Sequence, residues 1–150
     1  MIPQTDIWNA VLLQASMAAE AGEVPVGGVV VHHGQIIAEA HNQVEHLRDA
    51  TAHTEMLLLR QAAAYLGTKA LKECDLYVSL EPCAMCAGAL SHARIRRLYF
   101  GAYDAKAGAV EHGVRLFSHP SCHHRPEIYG GFREREYGEL LKEFFRVQRL

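Results

Sequence analysis

Apolar residues recur at three- and four-residue spacing through residues 5–21, where Ile7, Val11, Leu12, Ala15, Ala18 and Ala19 share one side and Gly22 stands as a stop. That pattern predicts an amphipathic helix. Residues 26–32 are β-branched and apolar, and residues 35–41 follow His33-Gly34, so the pair predicts a hairpin. Residues 52–66 are apolar nearly all round through Met56, Leu57, Leu58, Leu59, Ala62, Ala63 and Ala64, which predicts a helix covered on more than one side and ending near Gly67. A short strand over 75–80 runs straight into Glu81-Pro82-Cys83, and a helix over 84–93 follows. Leu98 and Phe100 alternate with Arg97 and Tyr99 in a strand over 97–101. After a Gly-rich loop over 102–113, the segment 114–125 is ambiguous and 127–129 reads as a last short strand. Residues 133–150 form a charged amphipathic helix with Leu140, Leu141, Phe144, Phe145 and Val147 on its apolar side. The succession predicts a three-layer α/β/α sandwich with a mixed central sheet, in a single domain over 1–150.

The 150 residues can bury about 68–70% of the unfolded surface, so the core needs no disulfide or metal staple. No apolar run approaches the roughly 18 residues of a membrane span, and the first 20 lack a basic, cleavable leader pattern. Both point to a cytoplasmic protein with no membrane partner, and four cysteines suit a reducing compartment. Cys74 and Cys122 read as ordinary thiols. Net charge is −2, which argues against a general polyanion binder, but residues 1–70 hold 3 Lys+Arg against 7 Asp+Glu and residues 71–150 hold 12 against 10. Any nucleic-acid surface is therefore local and lies in the second half.

The chemistry concentrates in His53-Thr54-Glu55 and Pro82-Cys83-Ala84-Met85-Cys86. A helix starting at Pro82 puts Cys83 and Cys86 on one face, about 5–6 Å apart at Cβ. With His53 they make three zinc ligands, and structural zinc usually has four, so the pattern is that of a catalytic ion with an open corner. On a helix, Glu55 is turned about 200° from His53 and sits beside the metal rather than on it. Two thiolates and a neutral imidazole balance Zn²⁺ and leave it acidic enough to make a bound hydroxide the nucleophile. A CxxC pair alone reads equally as a redox motif or half a structural zinc knuckle; the upstream HxE distinguishes the catalytic case. Three consecutive side chains rarely converge on one ion, so Cys122-His123-His124 reads as no second metal site.

The H-x-E…P-C-x-x-C arrangement is the signature of zinc nucleobase deaminases. The chain further resembles bacterial tRNA-specific adenosine deaminases of the TadA type through Glu23-Val24-Pro25-Val26-Gly27, Asn42, Asp49 and Thr51-Ala52-His53. The resemblance continues through the segment from Leu80 to Ala89, Phe100-Gly101-Ala102, Asp104-Ala105-Lys106, His124-Arg125 and Phe144-Phe145-Arg146. It implies a cytidine-deaminase-like fold, one zinc per subunit, a homodimer, and conversion of the wobble adenosine of an arginine tRNA anticodon stem-loop to inosine. It also implies that His53, Cys83 and Cys86 hold zinc and that Glu55 carries protons from water to the ring and to the leaving ammonia. Asn42, Val26 and the main chain at Thr54 would meet the base or ribose, and Asp104 and Lys106 the flanking nucleotides. Arg125, Arg146, Arg94, Arg96, Arg97 and Arg149 are candidates for the phosphate path, and Phe145 or Tyr129 for stacking. Three positions depart from the family pattern. Thr54 and Gly28 stand where Ala is usual, and Ala50 where Pro is usual; the Thr54 hydroxyl is expected between the ligand and the proton carrier.

Two other functions fit the same motif. One is deamination of a free base or nucleoside, guanine or cytosine especially, which would need a closed lid and no phosphate track. The other is a non-catalytic zinc-containing RNA-binding subunit, which would be free to lose Glu55.

Overall fold

The computed structural model describes residues 1–148, so Arg149 lies outside the described residues. Its elements are α1 (Gln4–Glu20), β1 (Gly27–His32), β2 (Gln35–His41), α2 (Val44–Leu47), α3 (Thr54–Leu66), β3 (Cys74–Leu80), α4 (Ala84–His92), β4 (Arg97–Ala102), a 3₁₀ turn at Leu116–Ser118, β5 (Glu127–Tyr129) and α5 (Glu134–Gln148). The hairpin turns through His33 and Gly34, both with positive φ (48° and 76°), the geometry of a two-residue turn whose twist matches that of its strands.

The strands form one sheet in the order β2-β1-β3-β4-β5, antiparallel from β2 to β3 and parallel from β3 to β5. Its two faces follow from the strand period of two. Val29 and Val31 of β1 and Tyr77 of β3 face Ile7, Trp8 and Val11 of α1, with Tyr137 of α5 joining them. Val30, Leu76, Val78, Leu98 and Phe100 face the other way, toward Leu58 and Ala62 of α3 and Ala87 and Leu90 of α4. The three-layer α/β/α sandwich with a mixed sheet is the arrangement the sequence pattern predicts. Tyr137 Oη donates to the Trp8 carbonyl at 2.9 Å, fastening the last helix to the first.

Three local expectations are corrected, and one short element is added. The helix read from residue 52 starts at Thr54, with His53 as its extended N-cap. The helix read over 84–93 is found at Ala84–His92, but the start at Pro82 assumed for the spacing of the two cysteines is displaced, since Cys83 is the N-cap and Pro82 precedes it. The helix α3 is fully buried along one side only, at Thr54, Glu55, Leu58 and Ala62, while Met56, Leu57 and Leu59 are half-buried. The α2 turn was not visible in the sequence, since four residues are too few to show a period. Among the described residues no helix is long and apolar enough to cross a membrane.

Two glycines set how closely the helices approach the sheet. A Cβ at Gly27 would come within 2.3 Å of the Ala15 backbone nitrogen in α1, and one at Gly28 within 2.9 Å of Leu58 Cδ1 in α3. Gly138, on α5, faces open space. Gly27→Ala is expected to cost about 3 kcal/mol, because backbone rather than a side chain must give way, and to lower the melting temperature by roughly 6–12 °C. Gly138→Ala should instead add about 0.5–1 kcal/mol. Thermal denaturation of the two variants beside the parent checks both signs.

Candidate active site

The end of β2, the start of β1 and the end of β3 lie at one edge of the sheet, and α3 and α4 both begin there. His53 caps α3, Cys83 caps α4, and Cys86 lies in the first turn of α4. His53 Nδ1 is 3.6 Å from the Sγ atoms of both Cys83 and Cys86. All three ligand atoms lie within 4.8 Å of one another. Zinc–sulfur bonds of about 2.3 Å and zinc–nitrogen bonds of about 2.0–2.1 Å at a tetrahedral angle put sulfur and nitrogen about 3.6 Å apart. The donor set therefore fits a zinc ion in both chemistry and spacing. The hydrogen bond from Cys86 holds the Cys83 thiol down to about 4, with the His53 ring adding to it, and the same bond and burial push Cys86 up. The bond to Cys83 in turn raises His53. The N-termini of two helices, with unpaired amides and positive dipole ends, suit such thiolate charge.

Glu55 follows in the first turn of α3 and is buried, which raises its carboxyl to about 7. Next to it the departure at Thr54 has a role that differs from expectation. The side chain is wholly buried. Its hydroxyl lies 2.9 Å from both the Val26 carbonyl and Asn42 Oδ1, and the Thr54 amide donates to the same Oδ1 at 2.8 Å. Asn42 Nδ2 donates to the Val24 carbonyl at 3.3 Å, and its backbone amide to the Val26 carbonyl at 3.1 Å. Asn42, Thr54 and Val26 are thus one hydrogen-bonded unit. Gly28 is tightly enclosed: a Cβ there would come within 2.5 Å of the Tyr77 carbonyl oxygen, 2.9 Å of Leu58 Cδ1 and 3.2 Å of Thr54 Cγ2. Beside Ala50, Asp49 Oδ1 shapes the entry to α3 by accepting from the Thr51 amide and hydroxyl.

These groups open into a pocket of about 570 Å³ lined by His53, Glu55, Cys83, Asn42, Val26 and, from other elements, Asp104, Ala107, Phe144, Phe145 and Gln148. Two buried carboxylates that the sequence reading passed over complete its wall, Glu23 and Glu81. Glu23 accepts from the amides of Glu45 and His46 at the start of α2, and Glu81 from the loop that carries Asp104. A charged residue between apolar neighbours, as in Ser79-Leu80-Glu81-Pro82, was the available signal.

The arginines do not gather at this pocket. Arg96 is bidentate to Asp75, and Arg97 reaches Asp75 and Glu127. Both stand at the start of β4, about 17 Å of strand from its pocket end. Arg125 spends its guanidinium on the carbonyls of Phe117 and His119, and Arg146 pairs with Glu143. Neither Arg125, Arg146 nor Lys106 lines the pocket. Arg94 borders a separate cleft of about 390 Å³ with Ser91, His119 and Cys122. Tyr129 stacks on Tyr99 at 5.1 Å, at the β5 edge. His124 Nε2 donates to the Ile95 carbonyl at 2.7 Å and Cys122 Sγ to the His124 carbonyl at 3.2 Å, so Cys122 and His124 are taken up in loop packing. Cys74 is buried, which pushes its thiol up to about 11.

The family model for MafB19-like deaminases matches residues 3–149. The tRNA-specific adenosine deaminase of Agrobacterium fabrum is 51% identical over 150 residues, all of this chain and 99% of that one. A chain solved in studies of A-to-I editing by tRNA:A34 deaminases at the wobble position of transfer RNA superposes with a TM-score of 0.90 at 51% identity, covering 92% of this chain and 100% of that one. A guanine deaminase from Bacillus subtilis is more distant, with a TM-score of 0.67 at 28% identity over 99% of this chain and 96% of its own. With its cytidine-deaminase-like sandwich and a His/Cys/Cys group beside a buried glutamate, and a full-length match of that closeness, the chain belongs to the family of tRNA-specific adenosine deaminases.

Proposed function

We propose that this protein is a zinc-dependent hydrolase that converts the wobble adenosine of a tRNA anticodon stem-loop, that of an arginine tRNA, to inosine. The observation that carries the reading is the pocket in which Glu55 lies beside the His53, Cys83 and Cys86 group while Asn42 and Phe145 line the approach. Zinc held by those three residues would supply the Lewis acidity that makes water a nucleophile near neutral pH. Glu55 takes a proton from that water as its oxygen bonds to C6, and delivers the proton to the adjacent ring nitrogen. Glu55 then takes the proton of the new C6 hydroxyl and passes it to the amino group, which leaves as ammonia as the C6–N bond breaks and the C6 carbonyl forms. A buried carboxylate suits this because one group must both accept and donate within a cycle.

Asn42, held by Thr54 and Val26, meets the base or ribose, and Val26 forms part of the wall around it. Asp104 and Lys106 meet the flanking nucleotides, and Phe145 offers a face on which a splayed base stacks. Arg125 and Arg146 stay assigned to the phosphate path only insofar as RNA binding frees them from their present partners. Identity of 51% to tRNA deaminases against 28% to a guanine deaminase favours RNA over a free base. We further propose that the single domain acts as a cytoplasmic homodimer. The α4 surface supports this: Ala87 and Leu90 pack into the core, while Met85 is exposed and Gly88 meets nothing within 4 Å.

Inosine should form in an arginine tRNA anticodon stem-loop incubated with the zinc-loaded protein, with no ammonia from guanine, cytosine or adenosine run in parallel; ammonia from guanine with intact RNA would transfer the assignment to the small-molecule branch. Glu55→Ala should keep its zinc and lose about 10²–10⁴-fold in kcat, and near-normal turnover would remove the proton-carrying role. Cys86→Ala should lose most of its zinc by metal analysis after dialysis, since a thiolate is one of three protein ligands.

A further inference from the structure

The loop from residue 103 to 112 has little regular structure, yet it forms one wall of the pocket through Asp104 and Ala107. A segment of this kind, rich in small residues, loses much conformational entropy on ordering and has backbone amides to satisfy. Both needs converge on one side chain. Glu81 Oε2 accepts from the amides of Val110, Glu111 and His112 at 3.1, 2.9 and 3.1 Å. Glu81 Oε1 accepts from the Asp104 amide at 3.0 Å and from His112 Nδ1 at 2.8 Å. The Glu81 side chain is 0% exposed. Gly108 passes directly over it, where an added Cβ would come within 2.6 Å of the carboxylate. Burial pulls the Glu81 pKa up, but the bonds from Asp104, His112, Glu111 and Val110 outweigh it and hold the carboxyl below its ordinary value.

The two ends of the loop are thus tied to one carboxylate, and that carboxylate belongs to the residue two before Cys83. Ala109 adds a bond from its amide to the Pro82 carbonyl at 2.9 Å. At the near end, Asp104 Oδ1 accepts from the amides of Lys106 and Ala107, so the turn that presents Asp104 and Lys106 is built outward from the Asp104 amide that Glu81 holds. The Glu81 carboxylate itself is covered by the loop, with both oxygens engaged by loop donors.

We propose that Glu81 is a positioning residue for substrate recognition: it clamps the Asp104–His112 loop to the metal-binding segment, and so sets where Asp104 and Lys106 stand for the nucleotides beside the reacting base. The inference rests on the RNA reading above. Glu81→Gln is the discriminating variant, being of equal size. Its amide nitrogen cannot face the three amides on the Oε2 side, so it must take the Oε1 position, where His112 can adapt by changing tautomer and the Asp104 amide cannot.

The experiment measures zinc content, amide exchange by NMR, and steady-state kinetics on the anticodon stem-loop for the parent, Glu81→Gln and Glu81→Ala. The expected result for Glu81→Gln is full zinc, faster exchange at Asp104 and Lys106, a KM raised about tenfold and kcat within about threefold, the pattern of lost binding without lost chemistry. Glu81→Ala, where it folds, should extend the faster exchange to residues 110–112. Unchanged exchange in Glu81→Gln overturns the clamp, and faster exchange with KM unchanged overturns its role in recognition. Loss of zinc with a matching fall in kcat overturns it too, by assigning Glu81 to the metal segment alone. A parent protein that leaves the stem-loop intact overturns the RNA reading instead, while the exchange measurement still decides whether the clamp exists.

Discussion

Two helix N-termini meet at one edge of the sheet, and each is capped by a residue of the His/Cys/Cys group. Capping positions are extended rather than helical, so His53 and Cys83 project toward the gap between the helices instead of along their sides. The first-turn amides and the positive ends of both helix dipoles point into the same gap, where thiolate charge is favoured. This convergence depends on α3 and α4 lying on one face of the sheet at close range. The glycine at position 28 permits that for α3, and the parallel step from β3 to β4 brings α4 back over the same face.

Around this rigid centre the walls are loops, and buried carboxylates hold them. Glu23 and Glu81 are each only 2% exposed, and a charge so placed is tolerated only when its oxygens are satisfied. Backbone amides satisfy them, so the desolvation cost is offset by the ordering of segments that have no ladder of their own. Both carboxylates precede a proline by one or two residues, in Glu23-Val24-Pro25 and Glu81-Pro82, which keeps the backbone extended as it enters the site. The Asn42, Thr54 and Val26 unit is the uncharged counterpart, joining the start of β1, the end of β2 and the start of α3 through a single hydroxyl and a single amide.

The distribution of arginines along the chain is a poor guide to their use. The basic excess of the second half is largely consumed within the fold: Arg96 and Arg97 neutralise Asp75 at the far end of β4, and Arg125 braces the 3₁₀ turn through its carbonyls. An arginine bonded to a partly buried acid or to a loop carbonyl is less free to meet a phosphate. The surface adjoining the pocket is instead aromatic and loop-built, with Phe144, Phe145, Asp104 and Ala107.

Apart from the four-residue α2, secondary structure up to residue 102 was legible because the elements there are long enough to show a period and are punctuated by Gly22, the His33-Gly34 turn and Gly67. The metal-capable trio and Glu55 were legible because ligand chemistry and short spacing survive without coordinates. The cap positions of His53 and Cys83 were not, since one or two residues at a helix end are decided by where the backbone turns. Nor was the inward turn of the Thr54 hydroxyl, which depends on Val26 and Asn42, 28 and 12 residues away. Glu81 looked like any acidic residue until the fold brought five donors to it from 23 to 31 positions downstream. Local order and ligand type are properties of neighbouring residues, and the sequence by itself determined them. Which buried charge holds which loop is a matter of long-range proximity, and only the tertiary structure decided it.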